Sequence, residues 1–192
     1  MRYVAVDVET TGLGKRCGLL ELAMVAEDTT KTLPIEDLPF FRALFWPADA
    51  VWEPFAVRIH RKNGLLDEIL AGVTQEAAAW CEAEAWLRGE AKGPQKTVEY
   101  RNPPETLIGP PNFKVTAAGK NFAGFDRRFL GPIVKCFDYR ALDPGSAFAD
   151  FSKDRLPGLA DLLPQDRADH QASHRALDDA RDVVRVLRRA YA

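Results

Sequence analysis

The sequence predicts an α/β fold: a mixed sheet, antiparallel at first and then parallel, flanked by helices. Two observations lead to this prediction. Three β-forming runs open the chain without a helix between them, over residues 2–8, 19–27 and 40–46, which is typical of an antiparallel meander. Beyond residue 54, helical periodicity alternates with short β-forming runs, which indicates helices packed on the rest of the sheet.

The remaining elements are predicted from caps, breakers and periodicity. In chain order they are helices over 54–60 and 63–70, a helix opened by Thr74, a strand over 113–118, a helix over 121–135, a strand over 139–142, a helix over 156–163 and a last helix from Ser173 onward. The last helix carries an apolar stripe, as expected of a helix that lies against a sheet.

One domain over residues 1–192 is expected, with a Pro- and Gly-rich insertion at about 92–113. The insertion contains one β-forming piece, over 97–101, and is expected to be a long loop or a small ribbon. Loops of this length inside a domain are often functional. A flap over an active site and a tolerated surface insertion are both open interpretations.

Composition limits the class of protein. Hydrophobic residues make up 46% of the chain and charged residues 28%, which is typical of a globular protein and not of a disordered one. A formal net charge of −2 argues against a broad face that binds polyanions. A nucleic-acid enzyme with this charge would hold a short strand through metal ions and a few local cations.

A cytoplasmic location is expected. The sequence has no run of about 18 apolar residues that would span a membrane, and no secretion signal is recognised. Its three cysteines, Cys17, Cys81 and Cys136, match neither a zinc spacing nor a disulfide framework, which fits a reducing compartment.

The first chemically informative stretch ends the first strand. Asp7 and Glu9 are two positions apart, so a strand places both carboxylates on one face. Like charges held so close are unfavourable unless a cation lies between them, and carboxylate oxygens suit Mg²⁺ or Mn²⁺. The alternative is an edge strand with a solvated acidic end. Glu21 lies among apolar residues and is expected to be a satisfied polar residue, not a ligand.

Later acidic residues and a histidine extend this pattern. Asp126 is expected in the first turns of a helix, and His174 precedes Asp178 and Asp179 at the start of the last helix. Carboxylates from distant segments can hold two metal ions, and histidine is a natural general base for water. Each residue also has a structural alternative: a surface ion pair for Asp126, a helix cap for His174, and a favourable helix N-terminus for the two aspartates. Helical spacing does not decide between Asp178 and Asp179.

The order of these residues resembles the three motifs of the DEDDh 3′–5′ exonucleases. The matching segments are Asp7-Val-Glu9-Thr-Thr-Gly-Leu13, Asn121-Phe-Ala-Gly-Phe125-Asp126 and His174-Arg-Ala-Leu-Asp-Asp179. The resemblance implies a ribonuclease-H-like (DnaQ-like) fold and hydrolysis of phosphodiester bonds to 5′-mononucleotides. It implies a general base at His174 and two metal ions, Mg²⁺ or Mn²⁺, whose ligands are Asp7, Glu9, Asp126 and Asp179.

Within that family, several segments resemble the oligoribonucleases, which cleave very short RNA. They are residues 60–65, residues 124–130, Tyr139-Arg140 with Asp143, and residues 174–179. The resemblance implies that Leu13 and His60 wedge against the terminal bases. It also implies that Tyr139 and Arg140, supplied by a second subunit of a homodimer, meet the 5′ phosphate. Thr10, Asn121 and Phe125 complete the expected substrate-binding set.

Departures from the oligoribonuclease pattern leave two alternatives open. Phe125 stands where that pattern has glutamine, Asp143-Pro144-Gly145 replaces its continuation, and the insertion is foreign to it. A DNA-directed exonuclease of the proofreading or repair type is the first alternative, and a catalytically silent nucleic-acid-binding module is the second. Trp46 and Trp52 are expected to pack in the core and not to form a stacking platform.

Overall fold

A computed structural model describes residues 1–91, 98–101, 114–164 and 173–191. Its strands are β1 (Arg2–Thr10), β2 (Leu19–Asp28), β3 (Phe40–Leu44), β4 (Val98–Arg101), β5 (Val115–Ala118) and β6 (Phe137–Leu142). They form one six-stranded sheet in the order β4-β3-β2-β1-β5-β6. The first four strands pair antiparallel, whereas β5 pairs parallel with both β1 and β6. The predicted mixed sheet is confirmed.

β1 is an inner strand whose two faces explain where the polar residues lie. Val6 belongs to one apolar cluster and Ala5 to another, because successive side chains of a strand point to opposite faces. By the same alternation, Asp7 and Glu9 continue the row of Ala5. The strand therefore ends with two carboxylates on the face that Ala5 occupies.

Helices cover both faces of the sheet, as predicted. They are α1 (Pro54–Lys62), α2 (Leu65–Ala71), α3 (Glu76–Arg88), α4 (Pro144–Ala147), α5 (Leu159–Leu162) and α6 (Ala176–Arg188), with 3₁₀ helices at Ile35–Asp37, Asp126–Phe129 and Gly131–Cys136. α6 packs on β1 and β2 over the face of Ala5, and α3 packs on the opposite face. The carboxylates at the end of β1 therefore lie on the side that α6 covers.

The predicted helix over 121–135 is wrong. Turns occupy residues 120–125, and two 3₁₀ helices follow them. Asn121 has a φ of 61° and Gly131 a φ of 46°, which are left-handed conformations that a right-handed helix cannot contain. Pro132 also lacks the N–H that an α-helix requires. The segment is consequently a series of short turns that holds Asp126 close to β1.

Boundary corrections are smaller elsewhere. α3 begins at Glu76, and Thr74 instead donates its N–H to the carbonyl of Leu44 at 3.1 Å. The helix predicted over 156–163 is limited to α5, and the last helix begins at Ala176. Its predicted start at Ser173 lies in a lead segment, residues 173–175, that has no regular secondary structure.

The insertion contributes a strand to the sheet. β4 lies in it and pairs antiparallel with β3, so the β-forming piece is confirmed. The rest of the insertion at 92–113 lies outside the described residues, and the flap interpretation stays a prediction. In the described part of the chain, no helix has both the length and the apolar character needed to cross a membrane.

Candidate active site

Two distant segments of the chain meet at the carboxyl end of β1. β1 supplies Glu9, the first turn of α6 supplies Asp179, and the lead segment before α6 supplies His174. One ligand atom from each of these side chains lies within 4.8 Å of the other two. Glu9 and Asp179 are buried and His174 is exposed, so the group reaches solvent on the histidine side.

Asp7 and Asp126 extend this group to an acidic cluster, by which we mean Asp7, Glu9, Asp126 and Asp179. Asp7 is half-buried on β1, and Asp126 is 3% exposed at the start of a 3₁₀ helix. Neither belongs to the group of ligand atoms within 4.8 Å of one another. They are coupled through charge instead, because the Asp126 carboxylate is the charged neighbour that most raises the pKa of Asp7.

Burial raises the pKa of every carboxyl in the acidic cluster. It raises the pKa of Asp126 to about 7 and that of Asp179 to about 6. For Asp7 and Glu9, burial and then repulsion from the other members raise the pKa well above its ordinary value. A bound cation would displace these protons. The carboxylate oxygens of the acidic cluster are hard ligands that suit Mg²⁺ or Mn²⁺.

Asp126 is not part of a surface ion pair. Its neighbours hydrogen-bond elsewhere: Arg127 donates to the carbonyl of Asp138 at 2.9 Å, and Arg128, whose charge lowers the pKa of Asp126 slightly against the effect of burial, donates to the carbonyl of Leu13 at 2.8 Å. Among the described residues, no basic side chain lies within ion-pair distance of Asp126. The structural alternative considered for this residue therefore does not hold.

The two adjacent aspartates in the first turn of α6 have different surroundings. Asp178 is exposed, with its carboxylate 4.0 Å from Arg181. Asp179 is buried and accepts a hydrogen bond from the Ser173 hydroxyl at 3.2 Å. Helical spacing did not decide which of the two aspartates belongs to the site. In the structure, only Asp179 lies close to Glu9 and His174.

Asn63, directly after α1, holds the segment that carries His174. Its amide donates to the carbonyl of His174 and, at 3.3 Å, to that of Ser173, while its oxygen accepts the N–H of Leu65 at 3.1 Å. His174 has a φ of 50°, which residues other than glycine seldom adopt. It is not the helix cap, because Arg175 occupies that position. The backbone of His174 is thus fixed from outside its own segment.

A buried charge network anchors the N-terminal end of α6. Glu21 accepts the N–H of Ala176 at 3.0 Å and a side-chain hydrogen bond from Arg42 at 2.5 Å. Arg42 donates to Glu68 at 2.7 and 2.9 Å, and Glu68 also accepts a hydrogen bond from Arg175. Glu21 is confirmed as a satisfied polar residue. Its partners fix the start of the helix that completes the acidic cluster.

A cavity of about 150 Å³ lies beside Glu9 and His174. It brings together four predicted substrate-binding residues, Thr10, Leu13, His60 and Phe125. On α1 it is lined further by Phe55, Ala56 and Ile59. Apolar and aromatic walls of this kind hold a base without reading its identity.

The turn after β1 presents Leu13, which is 63% exposed, to this cavity. The carboxylate of Glu53 accepts the N–H groups of Leu13 and Gly14, each at 3.1 Å. A Cβ at Gly12 would lie 2.4 Å from Cδ of Glu53, so only glycine permits this close approach. Arg128 holds the turn from the other side through the carbonyl of Leu13.

His60 forms the inner wall of the cavity. Its Nε2–H donates to the carbonyl of Thr10 at 3.0 Å, and Nε2 lies 3.6 Å from the carboxylate of Glu9. Burial lowers the pKa of His60, so the ring is neutral at neutral pH. The Thr10 hydroxyl donates to the carbonyl of Gly12 at 2.7 Å. Both polar side chains therefore stabilise the backbone around the cavity.

Three predicted substrate-binding residues lie away from the cavity. Asn121 is exposed, and its N–H donates to the carboxylate of Asp143 at 2.7 Å. Tyr139 and Arg140 are exposed on β6, an outer strand, with the guanidinium 5.0 Å from the centre of the tyrosine ring. A role for Tyr139 and Arg140 across a homodimer stays a prediction.

Sequence reasoning missed four residues that shape the site: Glu53, Phe55, Asn63 and Arg128. Phe55 had a signal, since it belongs to a helical stripe of α1 that ends at His60. The other three act on partners far away in the sequence. Local spacing contains no trace of such contacts.

The fold and the site define the class of this protein. It is an α/β protein in which carboxylates and a histidine lie together beside an apolar cavity. No family model matches the chain, and no curated protein matches it either. A function for this chain is therefore inferred from its motifs and from the geometry of the site.

Proposed function

We propose that this protein is a metal-dependent 3′–5′ exonuclease of the DEDDh type, with a ribonuclease-H-like fold, that acts on single-stranded or short oligonucleotides. One observation carries the proposal: Glu9 and Asp179, from separate segments, offer ligand atoms within 4.8 Å of His174, and Glu9 and His174 also line a cavity together with Leu13 and His60. An antiparallel start followed by parallel strands supports the fold assignment.

The acidic cluster would hold two divalent ions, Mg²⁺ or Mn²⁺, through Asp7, Glu9, Asp126 and Asp179. When bound, such ions neutralise charge on the scissile phosphate and stabilise its attacking and leaving oxygens. The raised pKa values of the four carboxyls support this assignment, because a cation relieves the charge that burial disfavours.

His174 would accept the proton of the attacking water. It is the exposed member of the group that it forms with Glu9 and Asp179, and it also lines the cavity. A general base must lie within hydrogen-bond reach of the proton that it takes, and histidine suits a reaction at neutral pH. The contact with Asn63 supports this role by fixing the backbone of His174.

Leu13, Phe55 and His60 would hold the terminal base of the strand, and the product would be a 5′-mononucleotide. The segments similar to oligoribonucleases favour short RNA as the substrate. Phe125 lines the cavity where the oligoribonuclease pattern has glutamine, and this departure leaves a second candidate open, a DNA-directed exonuclease. The two candidates share the same chemistry.

The proposal is tested with end-labelled RNA and DNA strands incubated with Mg²⁺, Mn²⁺ or EDTA. We expect stepwise release of mononucleotides from the 3′ end in either metal and none in EDTA. Asp7→Ala and Asp179→Asn should abolish the activity. Asp178→Asn is the matched control, because Asp178 is adjacent to Asp179 but exposed, and it should retain the activity.

Two results would change the assignment. A wild-type protein that is inactive with both metals would contradict the exonuclease, and binding without cleavage would identify the silent module. A higher initial rate on long DNA strands than on diribonucleotides would replace short RNA with DNA as the substrate.

A further inference from the structure

A second groove opens at the same end of the sheet as the candidate active site. Its volume is about 520 Å³, and it lies where β3 ends and α3 begins. We call it the aromatic groove, and its principal lining residues are Phe45, Trp46, Trp80, Phe129 and Arg128. Trp46 is 50% exposed, so the expectation that it packs in the core is wrong.

The aromatic groove and the cavity share a wall. Phe125 lines the cavity and Phe129 lines the groove, and their ring centres are 5.4 Å apart. The guanidinium of Arg128 lies 4.6 and 4.7 Å from these two ring centres. The same guanidinium donates to the carbonyl of Leu13. A strand that leaves the cavity past Leu13 would therefore meet Arg128 and then the groove.

The guanidinium of Arg128 can bind a phosphate. In the described part of the chain, no carboxylate lies within ion-pair distance of it, although its charge acts on Asp126 from farther away, and one of its N–H groups is used by Leu13. A guanidinium carries five N–H donors, and its fork matches a phosphate. A cation placed between aromatic rings suits a single strand, because the cation binds the phosphate backbone and the rings stack on the bases.

The tryptophans of the groove are held in place by neighbouring rings. Trp80 packs against Phe45 with ring centres 5.2 Å apart, and its indole N–H donates to Glu76 at 3.2 Å. Trp46 lies 5.4 Å from Trp52, which packs on a separate apolar cluster. Trp46 therefore combines a supported position with a large exposed surface.

We propose that the aromatic groove is a second nucleotide site, which binds a base of a single strand farther toward the 5′ end than the terminal dinucleotide. This inference rests on the proposed exonuclease function and narrows its substrate class. The protein acts best on single strands long enough to reach both sites, and a dinucleotide uses the cavity alone.

The test compares kcat/KM for dinucleotides and hexanucleotides, each as RNA and as DNA. Trp46→Ala should lower kcat/KM for the hexanucleotides by roughly tenfold, as expected for the loss of one base–aromatic stack, and leave the dinucleotides unchanged. Phe151→Ala is the matched control, because Phe151 is 97% exposed and is not among the residues that line the groove. The RNA and DNA arms show which sugar the second site accepts.

Two more variants separate stacking from packing. Trp46→Leu, which keeps apolar bulk but no ring, should reproduce the loss, whereas Trp46→Phe should restore most of the wild-type preference. Equal losses on dinucleotides and hexanucleotides, or no loss on either, would overturn the second site while leaving the nuclease intact.

A binding measurement distinguishes this failure from failure of the proposed function. Labelled hexanucleotides are titrated against Asp179→Asn, with and without Trp46→Ala. We expect the double variant to bind about tenfold more weakly. If the wild type cleaves nothing but the affinity for hexanucleotides still depends on Trp46, the exonuclease is contradicted and the second site is supported. If Trp46→Ala does not change the affinity, the second site is overturned.

Discussion

Asp126 is a buried acid, and burial raises its pKa to about 7. Because this pKa lies above the ordinary value for aspartate, the folded chain keeps a proton that the unfolded chain has released between those two values. The contribution of Asp126 to the free energy of unfolding therefore falls as pH rises through that interval. In the metal-free protein the loss is complete once the pH exceeds about 7.

Asp126→Asn should remove the loss of stability that accompanies deprotonation of Asp126. In EDTA at about pH 8, the variant should be more stable than the wild type by on the order of 2 kcal/mol, and the difference should shrink toward about pH 5. Denaturant unfolding at the two pH values measures the difference. A stability difference that does not vary with pH would contradict the raised pKa of Asp126.

Asn63 makes a second prediction at this scale. Asn63→Ala should lower kcat by roughly tenfold with little change in KM, because the backbone of His174 loses the donor that fixes it while the cavity is kept. Asn63→Asp keeps an oxygen but no amide donor and should behave in the same way. Stabilisation by Mg²⁺ should be retained in both variants. A loss of metal binding would indicate a general structural role instead.

At the scale of elements, the network around Glu21 determines where α6 begins. Arg42→Met should destabilise the protein by about 3 kcal/mol, because it removes the cation that pairs with a fully buried carboxylate. Arg88→Met is the matched control: Arg88 pairs with Glu84 on the surface of α3, and such exposed pairs contribute little to stability. Urea unfolding compares the two variants. Similar losses in both would contradict the network.

Elements were predicted well where one local pattern decides them. The first three strands have strong β-forming runs, and period-two alternation placed Asp7 and Glu9 on one face. The helix predicted over 121–135 is wrong because the prediction passed over the Gly131-Pro132 breaker in the sequence.

The site was predictable only where chemistry and spacing coincide. Asp178 and Asp179 occupy the same turn of α6, and burial alone separates them. The clamps made by Glu53 on the turn at Leu13 and by Asn63 on His174 join segments that the fold brings together. A local pattern cannot contain such contacts, because they depend on the complete packing of the chain.

For the whole molecule, the acidic cluster exists only when the chain is folded, since its members come from separate segments. Divalent ions should therefore bind the folded state alone and stabilise it by about 3 kcal/mol at a hundredfold excess over their dissociation constant. Thermal unfolding at about pH 8 with and without Mg²⁺ or Mn²⁺ measures this effect.

Two variants control that measurement. Asp178→Asn should keep the stabilisation by metal, and Asp179→Asn should lose most of it. Metal binding by the acidic cluster would be contradicted if neither metal raised the unfolding temperature of the wild type. It would also be contradicted if the metals raised the unfolding temperature of Asp179→Asn as much as that of the wild type.

The two outer strands of the sheet, β4 and β6, have a consequence for assembly. Glu99 and Arg101 are exposed on β4, and Tyr139 and Arg140 are exposed on β6. Charged side chains on an edge discourage a second chain from adding a strand to it. A homodimer of this protein is therefore expected to form through side chains such as Tyr139, with two separate sheets, and not through one sheet that continues from chain to chain.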